Sequence, residues 1–152
     1  MRLDGGKKGT VLLASLILMA LATVRIATAQ QQVPNPVLVF TGKEDYEAHG
    51  RQWTRYKYKV TNLADYPNEL FAQAPELPPC GLNTKSSRTW VDIYEVSGKR
   101  LYGFCAISNR EGLGQLWFAV ERGALPPSWI YIELTDRKLG RKYKSNPAET
   151  TE

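Results

Sequence analysis

Residues Trp53 to Thr61 alternate without interruption. Tyr56, Tyr58 and Val60 fall on one side of the chain, and Arg55, Lys57 and Lys59 fall on the other. A period of two places successive side chains on opposite faces of an extended strand, one face for a core and one for water. No segment of useful length carries the 3.6-residue period of an amphipathic helix, and no internal repeat is present. Sheets must therefore bury the apolar residues of this chain.

Other segments read the same way. Val37 to Phe40 is a short apolar run suited to a first strand, and Glu44 to Gly50 is polar and turn-like. Gln115 to Val120 aligns Leu116, Phe118 and Val120; Trp129 to Thr135 aligns Ile130, Ile132 and Leu134. Leu139-Gly140 turns the chain before a last strand at Arg141 to Ser145. Arg88 to Ile107 reads as a hairpin about Ser97-Gly98, a turn dipeptide. Centring the turn there sets Ile93 against Tyr102, Val91 against Phe104 and Glu95 against Arg100, the last a favourable charge pair. Trp90, Asp92, Tyr94, Leu101 and Cys105 then share the outer face.

The connection at residues 62–87 contains Pro67, Pro75, Pro78 and Pro79, which forbid a continuous helix or central strand. So long a connection must be tied down. Leu70, Phe71 and Leu77 are the expected pins, and Cys80 the expected fastening at its far end. Because Cys105 points outward, Cys80 must approach from outside, drawing the Pro-rich segment across Trp90.

Residues 1–29 have the layout of a secretory signal peptide. Arg2, Lys7 and Lys8 lead into the apolar run Val11 to Val24, and Ala27-Thr28-Ala29 offers small residues for cleavage after Ala29. The run falls short of the roughly 20 residues a helix needs to cross a bilayer. The protein is therefore expected to be secreted or periplasmic, with no membrane span after cleavage. The leader holds four of the 20 basic residues and one of the 15 acids. Without it the chain carries 16 bases and 14 acids, a net charge of +2 in place of +5, and no nucleic-acid partner is expected. In an oxidising compartment, two cysteines favour one disulfide, Cys80 to Cys105. The 24 residues between them include no His, and their spacing is not that of a metal site.

About seven short strands with turn signals between them specify an all-β fold, an antiparallel β-sandwich. The expected layout is an extended, mobile lead-in at 30–36, the sandwich at 37–147 and a flexible tail at 148–152. The order and spacing resemble those of a fibronectin type III-like or immunoglobulin-like domain. The segments Leu77-Pro78-Pro79-Cys80-Gly81, Ser87-Arg88-Thr89-Trp90-Val91, Leu101-Tyr102-Gly103-Phe104-Cys105, Leu116-Trp117-Phe118 and Glu133-Leu134-Thr135-Asp136-Arg137 resemble a family of uncharacterised secreted bacterial proteins. That resemblance covers most of residues 53–146. It implies a sandwich and export, and it supplies no activity.

The sequence carries no catalytic signature. Its one histidine, His49, stands alone in a turn-like stretch, and no phosphate-binding loop, zinc motif or calcium loop is present. No catalytic residue, metal or cofactor is expected. Asp92 and Glu133 remain as a carboxylate pair on neighbouring strands, the basis of an alternative reading as a small hydrolase. Four Trp and eight Tyr give a stronger lead. Trp117, Trp129, Tyr131 and Tyr94 form a candidate binding surface, because ring faces pack well against sugars and proteins. Arg137, Lys138, Arg141, Lys142 and Lys144 form a candidate anion patch. The expected function is that of an exported, non-catalytic module binding a protein or glycan partner. A structural or accessory envelope role is the other alternative, and the sequence leaves the oligomeric state open.

Overall fold

The computed structural model describes residues 32–79 and 86–150, apart from the side chain of Ala106. The expected leader, its cleavage site, Cys80 and the last two residues lie outside the described residues. The described residues form eight strands: β1 (Leu38–Ala48), β2 (Arg51–Val60), β3 (Thr89–Glu95), β4 (Arg100–Ile107), β5 (Leu116–Glu121), β6 (Trp129–Asp136), β7 (Arg141–Lys144) and β8 (Ala148–Glu149). Single helical turns occupy Leu63–Asp65, Asn68–Phe71 and Arg110–Gly114. Three strands in the order 1-2-5 form one sheet; the other has the order 4-3-6-7, with β8 added beside the start of β6. Every pairing is antiparallel. The two sheets pack together as an antiparallel β-sandwich.

The alternating residues behave as their period requires. Tyr56, Tyr58 and Val60 of β2 join Leu116 and Phe118 of β5 against Val91 and Ile93 of β3 and Ile130, Ile132 and Leu134 of β6. Phe118 stacks on Tyr56 and Tyr58 at 5.4 and 6.0 Å. Burial pushes the Tyr58 hydroxyl up to about 12, and it donates to Thr150 Oγ1 at 3.2 Å.

One strand extends well beyond its apolar run. The polar stretch read as a turn continues β1 to Ala48, and only His49 and Gly50 make the turn. Both have positive φ, 54° and 70°, as a two-residue hairpin loop requires. Side-chain pairs tie this half of the hairpin: Thr54 donates to Asp45 at 2.7 Å and Gln52 to Glu47 at 2.8 Å. The register slips between Phe40 and Gly42, leaving Thr41 unpaired in a bulge where Gly42 has a φ of 136°. The bulge reverses the parity of β1 and sends Glu44 and Tyr46 to the outer face.

The β3–β4 hairpin keeps the expected register at its centre, with Val91 opposite Phe104, Ile93 opposite Tyr102 and Trp90 opposite Cys105. It slips near the turn, where Tyr94 and not Glu95 faces Arg100. Arg100 instead reaches Asp92 at 2.7 Å, and Glu95 meets Lys99 at 3.8 Å. Gly103 explains that choice. A Cβ there would lie 1.9 Å from the Arg100 guanidinium and 2.7 Å from Asp92, so the missing side chain is the space in which the ion pair lies flat on the strand.

The Pro-rich connection is pinned by Leu70 and Phe71, as expected, and also by Tyr66 and Ala74; Leu77 is only half-buried. The described part of the lead-in, residues 32–36, is held rather than mobile. Tyr66 donates to the Pro34 carbonyl, and Asn62 bonds both the Asn35 carbonyl and the Val37 N–H. The tail also departs from expectation. Ala148 and Glu149 form β8, and Thr150 is buried with its N–H on the Ser128 carbonyl. Just before β8, Asn146 accepts from Leu38 N–H at 2.8 Å and donates to Leu38 C=O at 3.0 Å. One side chain thus covers the first open position on the β1 edge.

Candidate functional site

The four candidate aromatic residues do not share one surface. Tyr94, Trp129 and Tyr131 lie on the outer face of the five-stranded sheet, while Trp117 lies on the rim of the three-stranded one. Tyr94 stacks on Tyr131 at 5.3 Å, and the Lys144 ammonium lies over Tyr131 at 3.9 Å. Burial raises the Tyr94 hydroxyl pKa, helped by the neighbouring Asp92 and Glu133 charges. Trp117 is half-buried: Tyr102 packs on it at 4.7 Å, Phe104 at 5.9 Å, and the Arg55 guanidinium lies 4.5 Å from its ring centre. Of the four, Trp129 is the most open, at 42% exposure.

Trp129 has apolar company. Val96 donates its N–H to the Trp129 carbonyl at 3.3 Å and is 58% exposed. Leu125, on the loop leading into β6, is 95% exposed. Val96, Trp129 and the Tyr94–Tyr131 stack therefore run continuously along one end of this face. Asp92 and Glu133 stand directly opposite each other further along. Each has its own cation, Arg100 at 2.7 Å for Asp92 and Lys142 at 2.6 Å for Glu133. Charge pairs of this exposure rim a surface without giving it a strong sign.

The five basic residues after β6 are dispersed. Arg137 donates to the Ser87 and Pro78 carbonyls at 2.8 and 2.7 Å and lies 4.0 Å over Trp90. Lys138 meets Glu76 at 3.8 Å. Lys142 and Lys144 face outward on the sheet, engaged by Glu133 and Tyr131, while Arg141 lies opposite Asp136 on the other parity. Four of the five are thus engaged by the fold. Trp90 is half-buried beneath Arg137, whose contact with Pro78 brings the chain before Cys80 to the strand position beside Cys105. Among the described residues no cysteine is free.

A groove of about 440 Å³ opens on the outer face of the three-stranded sheet. Thr41, Glu44, Arg55, Lys57, Gln115 and Trp117 line it. The Arg55 guanidinium is held between Tyr46 and Trp117, each ring centre 4.5 Å away. Glu44 bridges Arg55 at 2.9 Å and Lys57 at 3.0 Å. The Lys57 bond, followed by its charge and that of Arg55, lowers the Glu44 pKa. Sequence reasoning placed Arg55 and Lys57 on a solvated face and missed their groove, because the β1 bulge supplies both Glu44 and Tyr46. Among the described residues no three His, Cys, Asp or Glu side chains gather as a metal set. Comparison with protein-family models, curated proteins and solved structures returns no match.

Proposed function

We propose that the protein is an exported, non-catalytic sandwich whose five-stranded sheet docks a folded protein partner through Val96, Trp129 and the Tyr94–Tyr131 stack. The observation that carries this reading is the continuous apolar and aromatic stripe, with paired charges at its rim, at one end of the outer sheet face. Aromatic anchors inside a polar rim characterise protein interfaces. A glycan platform needs free ring faces, and Tyr131 already has one ring and one ammonium packed on it. The hydrolase alternative draws no support from Asp92 and Glu133, each engaged by a cation on an open sheet.

A photo-crosslinking residue at position 96 or 125 should give one discrete adduct in the producing cells; at Glu47, on β1, it should give none. With the captured partner purified, Trp129→Ala should weaken binding tenfold or more, about 1.4 kcal/mol, without lowering the unfolding midpoint. Equal binding by the variant would end this reading.

The same proposal includes export and a Cys80–Cys105 bridge. The Arg137–Pro78 contact supports it by delivering the chain to the Cys105 side of the sheet. Intact mass should rise by two hydrogens on reduction, and a thiol reagent should label neither cysteine beforehand. A bridge closing this loop contributes about 3 kcal/mol in the chain-entropy account.

A further inference from the structure

We infer that the groove on the three-stranded sheet binds a carboxylate-bearing saccharide, whose carboxylate replaces that of Glu44 on Arg55 and Lys57. Its volume, about 440 Å³, is in the range of small-ligand sites. The cation pair is already set at the spacing of one carboxylate, because Glu44 places Oε1 on Arg55 and Oε2 on Lys57. Glu44 is itself an exposed side chain on the edge strand, with open solvent into which it can swing aside. Arg55 is not free to follow it, since Tyr46 and Trp117 hold its guanidinium in place. With Glu44 gone, Arg55 Nη1 and the Lys57 ammonium remain as two converging donors, a preorganised arrangement for an oxyanion.

Two features select a sugar over a bare ion. The groove is much larger than one carboxylate, and Thr41 and Gln115 add neutral donors and acceptors suited to hydroxyl groups. Recognition here depends on hydrogen bonds and charge, because Trp117 already carries Tyr102 and Arg55. The site lies on the other sheet from the docking stripe, so the two proposals stand or fall separately.

The test uses tri-galacturonate as probe, followed by amide and arginine Nε–H resonances of the intact protein. Saturable shifts are expected at Gly114, Gln115 and the Arg55 Nε–H. Glu44→Gln should tighten binding at least threefold, because it frees both cations. Arg55→Gln should weaken it at least tenfold; Lys57→Gln should also weaken it and serves if the arginine variant misfolds. The neutral methyl ester of the same trimer should not bind. The inference is overturned if Glu44→Gln fails to tighten binding or if the ester binds as well as the acid. It is equally overturned if acetate saturates the same signals at the trimer's concentration, or if tri-glutamate binds more tightly than the sugar.

Discussion

Replacing Asp136 by alanine is expected to lower stability by about 3–5 kcal/mol, the usual consequence of removing one member of a buried ion pair. Asp136 is 1% exposed. Arg88 grips it with two parallel bonds, Nε to Oδ1 at 2.8 Å and Nη2 to Oδ2 at 2.7 Å. The backbone N–H groups of Lys138 and Leu139 also donate to Oδ1. One carboxylate thus joins the end of the long connection to the last residue of β6 and organises the turn into β7. Its removal leaves a half-buried guanidinium with only the Glu69 carbonyl to bond, and two turn N–H groups without their side-chain acceptor. The Asp92–Arg100 pair is a useful contrast. It has equally short bonds, but the arginine is largely exposed, so Asp92→Ala should cost no more than about 1 kcal/mol. Urea unfolding of the two variants, with unchanged dependence on denaturant, measures the difference directly.

Acid should reproduce part of the Asp136 effect. Burial opposes ionisation of this carboxyl, but Arg88 and the two turn N–H groups outweigh it and hold the pKa below the ordinary 3.8. A carboxyl whose pKa is lower in the folded state contributes stability above its unfolded value and loses that contribution as pH falls through the folded one. The gap between the native protein and Asp136→Asn should therefore be constant near neutrality, begin to narrow as pH approaches 3.8, and close below the depressed folded value. A gap that stayed constant down to pH 2 would mean that the charge of Asp136 contributes nothing.

What the sequence made legible follows from where a single face is buried. The β2 alternation identified Tyr56, Tyr58 and Val60 as core because Arg55, Lys57 and Lys59 left no other side to bury. The centre of the β3–β4 hairpin was readable for the same reason. The pattern failed where both faces are polar. Lys43 to Ala48 pairs through charges and hydrogen bonds, so no alternation marks that half of β1. At the chain end, Ala148 and Thr150 are buried by contacts with residues far away in sequence, including Tyr58. Arg100 escaped prediction because its partner depends on the space above Gly103, not on the turn. The aromatic surface was divided for a different reason. Parity gives the side of a strand on which Trp117 stands, but not the sheet to which that strand belongs. The groove was hidden further, since only the slip at Gly42 turns Tyr46 and Glu44 toward Arg55. A glycine inside a strand pattern was the one available signal for that bulge.

The same logic separates two large aromatic residues that composition alone treats alike. Phe118→Ala is expected to cost about 3–5 kcal/mol, whereas Trp129→Ala should stay within about 0.5 kcal/mol of the native protein. Phe118 lies on the inward parity of β5, is 2% exposed and stacks on two tyrosines of β2. Deleting its ring opens a cavity between the sheets, and the surrounding rings cannot close it without leaving the strand positions that fix them. Tyr58 suffers twice: it loses a stacking partner, and its hydroxyl must keep its bond to Thr150 while the ring shifts. Trp129 stands on the outward parity of β6, beside Val96 and above no core residue. Its loss removes exposed apolar area and little packing. Denaturant midpoints that fell together for both variants would mean that the Trp129 face is sealed within the fold and unavailable to a partner. A drop confined to Phe118 would leave that face free to be tested by binding alone.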